Sequence, residues 1–264
     1  MTRRRRSEGP ALAILLVVGI AVLLSGIGWF WLGSQEPPKP PTAPSTAFEE
    51  EPTELDPGVE PLDLPELGSS DDFIRSLVAG VSAYPELASW LVTDELVRRF
   101  VGVVVDLAGG LSPRSRLEFL IPEEEFEVLE IGERIVIDPE GYHRYDLLTE
   151  TFVSLDTQGT AHLYHHLYPL LDEAYAELGI PDQSFDDAVT LAIGNLLAPE
   201  VPEVPLELQP NESIYEFRDL GLEMQSPAEK HLIRMGPENA RQFQAKLSEL
   251  RDAIEGYQAA LNRY

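Results

Sequence analysis

The chain has 264 residues, with 46 Asp and Glu against 19 Lys and Arg, for a formal net charge of −27. Beyond residue 33 the balance is 15 basic to 45 acidic residues, a field that repels phosphate backbones and excludes nucleic acid as a partner. The absence of cysteine rules out disulfides, thiolate metal sites, Cys nucleophiles and a lipid-modified N-terminal cysteine.

The first residues run against the acidic trend, with four arginines at Arg3 to Arg6. They precede "ALAILLVVGIAVLLSGIGWFWL", residues 11–32, a run of 22 residues without a charge. As a helix it is ~33 Å long, enough for a hydrocarbon core of ~30 Å. Pro10 suits the first helical turn, and Trp29, Phe30 and Trp31 suit a membrane–water interface. The alternative is a cleaved signal peptide, whose apolar run is normally about 7–15 residues and ends on small residues. This run is longer and closes on bulky aromatics. The positive-inside rule then makes residues 1–10 a cytoplasmic basic tail and 11–32 a single-pass transmembrane anchor in the inner membrane. Everything after it is expected in the periplasm.

Residues 33–68 hold nine prolines and many acids, and their apolar residues never recur at a helical or strand period. Such a segment cannot bury enough surface to offset the entropy of folding, so it is expected to be a disordered linker, extended by its prolines. A Pro-rich patch such as "PPKPP" is at most a weak handle for an envelope protein partner.

Residues 69–264 carry the periodic pattern of one folded domain. Ser69 or Ser70 is expected to cap a helix that opens on Asp71 and Asp72 and shows an apolar face at Phe73, Ile74, Leu77, Val78 and Val81. Pro85 opens a short helix to about Val92. Thr93 is the expected cap of the next helix, with Asp94 and Glu95 in its first turn and a stop at Gly109-Gly110. "FEVLEIGERIVID" reads as a β-hairpin across Gly132-Glu133, with Gly first as a type II′ turn requires. Period two sets Phe126, Val128, Ile135 and Ile137 on one face.

Helices resume near Tyr145. Asp156 is the expected cap of a helix ending at Gly179-Ile180-Pro181, and Ser184 of one ending near Leu197. Pro199 to Pro210 reads as Pro-broken and extended. "SPAE" at 226–229 is a capping box with Pro at the first helical position. The last helix, about Pro237 to Asn262, spaces Ala240, Phe243, Leu247, Leu250, Ile254, Tyr257 and Leu261 as an a/d seam. Its flanking positions offer no attractive charge pairs, so the seam is expected to pack inside its own domain and leave the outer domain monomeric. The expected fold is mainly α, an α+β chain with one small antiparallel β-hairpin.

Several stretches resemble a known family: "DELVRRFV" (94–101), "YHRYD" (142–146), "LYPLLDEAYAELG" (167–179), "PLELQP" followed by "YEF" (205–217) and "SPAEKHLIRMGPENA" (226–240). In this order they are similar to the bacterial domain of unknown function 3014 family. The resemblance covers about residue 70 to the C-terminus. It implies the same layout of one N-terminal transmembrane segment, a Pro-rich spacer and this domain, and it carries over no catalytic or binding residue.

"HLYHHLYPLL" (162–171) places three of the five histidines within five positions. On a helix His162 and His166 share a flank, and His165 points toward solvent. Metalloproteases set a Glu between such a pair; here Leu163, Tyr164 and His165 intervene, so no metal site is assigned. Pro169 is expected to kink the helix. Glu123 to Glu125 reads as a solvated acidic loop, Arg144 and Asp146 as a buried ion pair, and Glu238 and Asn239 as servants of their own helix end. Walker, dinucleotide and nucleophile-elbow motifs are absent, no catalytic residue is assigned and no cofactor is expected.

These features favour a non-catalytic interaction or structural module of the envelope. The alternative is an extracytoplasmic enzyme or small-ligand domain with a site assembled from distant residues. A cleft with convergent polar groups separates the two readings.

Overall fold

The computed structural model describes residues 2–5, 63–78, 84, 90–91, 93–117, 126–203, 205–211 and 214–261. The expected anchor (11–32), nearly all of the linker, most of the helix from Pro85 and the run Glu123–Glu125 lie outside the described residues. Among the described residues no helix is long and apolar enough to cross a membrane.

Eight helices are described: α1 (Asp71–Val78), α2 (Leu96–Ala108), α3 (Asp146–Val153), α4 (Thr157–Ala176), α5 (Phe185–Leu197), α6 (Leu220–Glu223), α7 (Pro227–Arg234) and α8 (Pro237–Leu261). α2 is apolar nearly all round, with Leu96, Val97, Phe100, Val101, Val103, Val104 and Leu107 buried, as a helix at the centre of a domain must be. α4 and α5 pack on it, and α8 lies along α3, α4 and α5. Phe243 of α8 stacks on Phe152 of α3, with centroids 4.3 Å apart.

The seam of α8 is therefore covered inside the domain as far as Leu250. Ala240, Phe243, Leu247 and Leu250 are fully buried, and Ile254 packs at the core's margin. Lys246 is buried as well, with its ammonium donating to Thr157 Oγ1 at 2.7 Å. Leu67 belongs to this core and Leu64 packs against it, so the folded unit begins inside the last residues of the expected linker.

The β-region is larger than one hairpin. β2 (Glu127–Ile131) and β3 (Arg134–Ile137) form the expected hairpin, with Gly132 at φ 65 in a two-residue turn. Phe126, Val128 and Ile137 face a second core with Ile135 packed against it, as period two requires. The sheet continues into β4 (Glu207–Asn211) and β5 (Ile214–Phe217). Proline argues against a strand by removing a ladder donor. Pro210 is accommodated because β3 pairs only with Glu207 and Leu208, leaving Pro210 beyond that pairing. Thr2–Arg5 (β1) pairs with the free edge of β2, so the sheet order is β1-β2-β3-β4-β5, antiparallel throughout.

Asp156, Ser184 and Ser226 cap α4, α5 and α7 as their sequences require, the last two in reciprocal capping boxes. Two other caps differ. The Ser69 and Ser70 hydroxyls donate backward to the Glu66 and Leu67 carbonyls. Thr93 does not cap α2. Glu95 is its N-cap, in the left-handed region at φ 58, and the cap is supplied from a distance: the Glu95 and Leu96 N–H groups donate to the Asp71 carboxylate at 2.7 and 2.9 Å.

Candidate functional site

A cleft of about 390 Å³ opens where the two cores meet. One wall is the 3-10 segment Pro139–Tyr145 with the start of α3; the other is Met235 to Gln242, the turn into α8. Tyr142 belongs to the sheet's core and Met235 to the helical core, so each core supplies one wall. Asp138 caps the 3-10 segment by accepting from Glu140 N–H at 3.1 Å, and Pro139 at its first position fixes the turn. Gly236 makes the opposite wall possible. Its φ is 88, and a Cβ there would sit 2.5 Å from Tyr142 Cγ.

The polar groups of the cleft converge on Asp146. His143 Nδ1 lies 2.7 Å from Asp146 Oδ2, and the Asn239 amide donates to Asp146 Oδ1 at 3.0 Å. The same amide donates to the Tyr142 carbonyl at 3.2 Å. The hydrogen bond to Asp146, and then its charge, raise the pKa of the exposed His143. Burial raises the pKa of Tyr142, whose hydroxyl is buried without a hydrogen-bond partner among the described residues. Glu150 accepts from Tyr84 at 3.2 Å, and Gln242 donates to Glu238 at 3.3 Å, completing an acidic rim.

Two sequence-based assignments change here. Arg144 and Asp146 do not pair. The Arg144 guanidinium lies over the rings of Tyr145 and Phe126, 4.7 and 5.1 Å from their centroids, while Asp146 turns to His143 and Asn239. Asn239 donates to the Met235 carbonyl at 3.4 Å beside its own helix start, as expected, but also reaches across the cleft. Burial of the Tyr145 ring pushes its pKa up to about 12.

The histidine stretch forms a second region, at the other end of α8. His165 does not point to solvent. Its Nε2 lies 3.1 Å from the Ile254 carbonyl, and its ring stacks on Tyr257 with centroids 4.7 Å apart. His162 packs on the same tyrosine at 4.6 Å. The Nε2 atoms of His162 and His166 are buried without a hydrogen-bond partner among the described residues. Burial is the leading cause lowering the pKa of all three. The buried stripe of α4 holds Leu163, Leu167, Leu170, Leu171 and Ala174, but Leu178 falls past the helix end and is exposed. Beside it a cleft of about 320 Å³ is lined by His165, Val189, Ile193, Arg251, Ile254 and Gln258 among others. Tyr164 closes its edge by donating to Asp186. Among the described residues no group of three or more His, Asp or Glu is placed to hold a metal ion.

One polar pair had no sequence signal. Ser112 Oγ lies 3.0 Å from His231 Nδ1, 119 positions away. Burial, with Arg234, Arg114 and Lys230 nearby, pushes the His231 pKa down to about 4. Neither residue lines either cleft.

Together these features define a mainly helical α+β domain with a small antiparallel sheet and an acidic cleft between its two cores. The family model described as Protein of unknown function (DUF3014) matches residues 96–251, more than half of the chain, and the chain belongs to that family. No curated protein and no solved structure matches it.

Proposed function

We propose that this protein is a membrane-tethered recognition module of the cell envelope, with the Asp146 cleft as its binding site. Residues 11–32 anchor it in the inner membrane, the Pro-rich segment holds it away from the bilayer, and the domain works in the periplasm. One observation carries the choice of site. The Asn239 amide ties Asp146 to the Met235–Asn239 turn across 93 positions, drawing two of the family-like motifs, "YHRYD" and "RMGPENA", onto one cleft. A purely structural module needs no such convergence of polar groups. The lining offers hydrogen-bonding and charged side chains to a ligand, among them His143, Asp146, Glu150, Glu238 and Asn239. Its carboxylates Asp146, Glu150 and Glu238 outnumber the one histidine, so a ligand presenting a positively charged group fits best. The covered seam of α8 supports a monomeric outer domain.

This topology and the β1 pairing are alternatives. An anchored chain carries Thr2–Arg5 across the membrane from β2 and keeps a sheet of four strands. A reporter active only outside the cytoplasm, fused after Tyr264, is expected to be active; activity confined to a cytoplasm-only reporter sinks the topology. For the site, a photoreactive amino acid replacing Gln242 in the full-length protein is expected to capture a ligand in envelopes, with the adduct read by mass spectrometry. The same group at Gln209 is the control. Adducts of equal yield at both positions, or an adduct at Gln242 that survives Asn239→Ala, refute the cleft.

A further inference from the structure

The histidine flank of α4 carries an inference independent of the Asp146 cleft. We propose that residues 251–261 of α8 are an acid-released latch, held shut by His162, His165 and His166 while they are neutral.

The hold on this part of α8 differs from the hold on the rest. Up to Leu250 the helix is fixed by fully buried side chains. Beyond it Ile254 and Tyr257 are only partly buried, and Gly256 weakens the helix relative to Ala. Besides the packing of Ile254 at the core's margin, this part is held by the contact with α4: Tyr257 against the rings of His162 and His165, and the Ile254 carbonyl accepting from His165 Nε2. That bond places the proton of neutral His165 on Nε2 and outlasts a second proton at Nδ1, so acid strains the hold first at His162 and His166. His162 and His166 present buried Nε2 atoms with no acceptor among the described residues, so a proton arriving there makes a cation with nothing to receive it. The three rings lie within five positions of one helix, and each cation repels the next.

The charges around the rings do not compensate. On α4 itself Asp156 acts on His162, and Tyr164 and Tyr168 are neutral. From α5 Asp186 acts on His165 but already accepts from Tyr164. From α8, Arg251 is engaged by Asp252 and Ser248, Glu255 lines the neighbouring cleft, and Lys246 and Glu249 pair beside Thr157. α2 contributes Arg98 to Glu177, beyond the far end of α4. The segment Leu67–Ser69, also against α4, has no charge of its own and follows Glu66. Release of the latch parts the walls of the 320 Å³ cleft and uncovers Val189, Ile193, Ile254 and Tyr257.

Hydrogen exchange on the full-length protein, read by mass spectrometry and corrected for intrinsic rates, tests this at about pH 7.5 and about pH 5. The expected result is a loss of protection of roughly tenfold or more over 251–261 at the lower pH, with 240–250 unchanged. The variant carrying His162→Gln, His165→Gln and His166→Gln is expected to show equal protection at both pH values. Loss spread evenly along α8, no pH dependence, or a loss that persists in the variant overturns the latch. Should the variant not fold, ring titration of the wild type by NMR decides. The midpoint of deprotection must coincide with His162, His165 or His166; coincidence with His143 or His231 overturns the proposal.

Discussion

The two ends of α8 each meet histidines, and the two sites bias them toward opposite charge states. At the N-terminal end His143 stands in solvent beside Asp146, which favours its cation. At the C-terminal end burial of His162, His165 and His166, the first two packed on Tyr257, favours the neutral ring. The sequence crowds histidines at the second place and offers one at the first, yet the convergent polar chemistry forms around the single one. Residue type and spacing do not decide what a histidine does; the acceptor that the fold brings to it does.

The largest expected effect joins the two regions. Phe243→Ala removes the ring stacked on Phe152 between them, one residue past Gln242 of the first cleft, and is expected to destabilise the domain by about 3–5 kcal/mol in urea unfolding. Leu250→Ala, nearer the histidine end, is expected to cost ~2–5 kcal/mol. Survival of native His143 shifts in a variant that has lost those of His162 would show that the ends unfold separately.

Gly236→Ala separates them. A Cβ at φ 88 against the Tyr142 ring is expected to cost about 1–3 kcal/mol and to move the His143 resonances, leaving those of His162 and His166 in place. Asn239→Ala strips the Tyr142 carbonyl and Asp146 of a donor, at roughly 1–2 kcal/mol, and is expected to abolish ligand capture at Gln242. Capture that persists would separate the cleft from its supposed scaffold.

The smallest effect is in pH dependence, where the two ends have opposite signs. The raised His143 pKa contributes stability that is full below about 6.5 and is lost as pH rises through the folded value. The lowered flank histidines and His231 do the reverse. Below about pH 6.5 the unfolded chain takes up protons that the folded chain refuses, so stability falls until each folded value is passed. The carboxylates held low, Glu177, Asp187 and Glu223, lose their contribution only below about pH 4.5. Urea midpoints are therefore expected to fall between about pH 7 and pH 5. His143→Asn steepens that fall, and the triple flank variant flattens it.

What the sequence showed and what it hid divide by distance along the chain. The caps Asp156, Ser184 and Ser226 bond to amides three positions on, so they can be read from a short window. The turn at Gly132 and the seam of α8 follow from local geometry and period. The cap of α2 comes from Asp71, 25 positions before Leu96, and no window finds it. β4 and β5 were hidden because Pro210 speaks against a strand until its place beyond the β3 pairing is known. The cleft was half legible: both of its motifs were visible as words, but nothing local says that Asn239 also reaches Asp146. The Arg144–Asp146 and His165 assignments failed for the same reason, since helical arithmetic ranks faces without knowing what packs on them.

The Asp71 cap has a mechanical consequence. α1 is the first helix of the folded unit, and it clips the entrance of the central helix: Asp71 holds the Glu95 and Leu96 amides, and Arg75 holds the Leu91 and Thr93 carbonyls at 2.9 Å. A pull on the chain before Asp63 therefore loads the packed side chains of Leu64 and Leu67, then this short clamp of hydrogen bonds, and only then the buried side chains of α2.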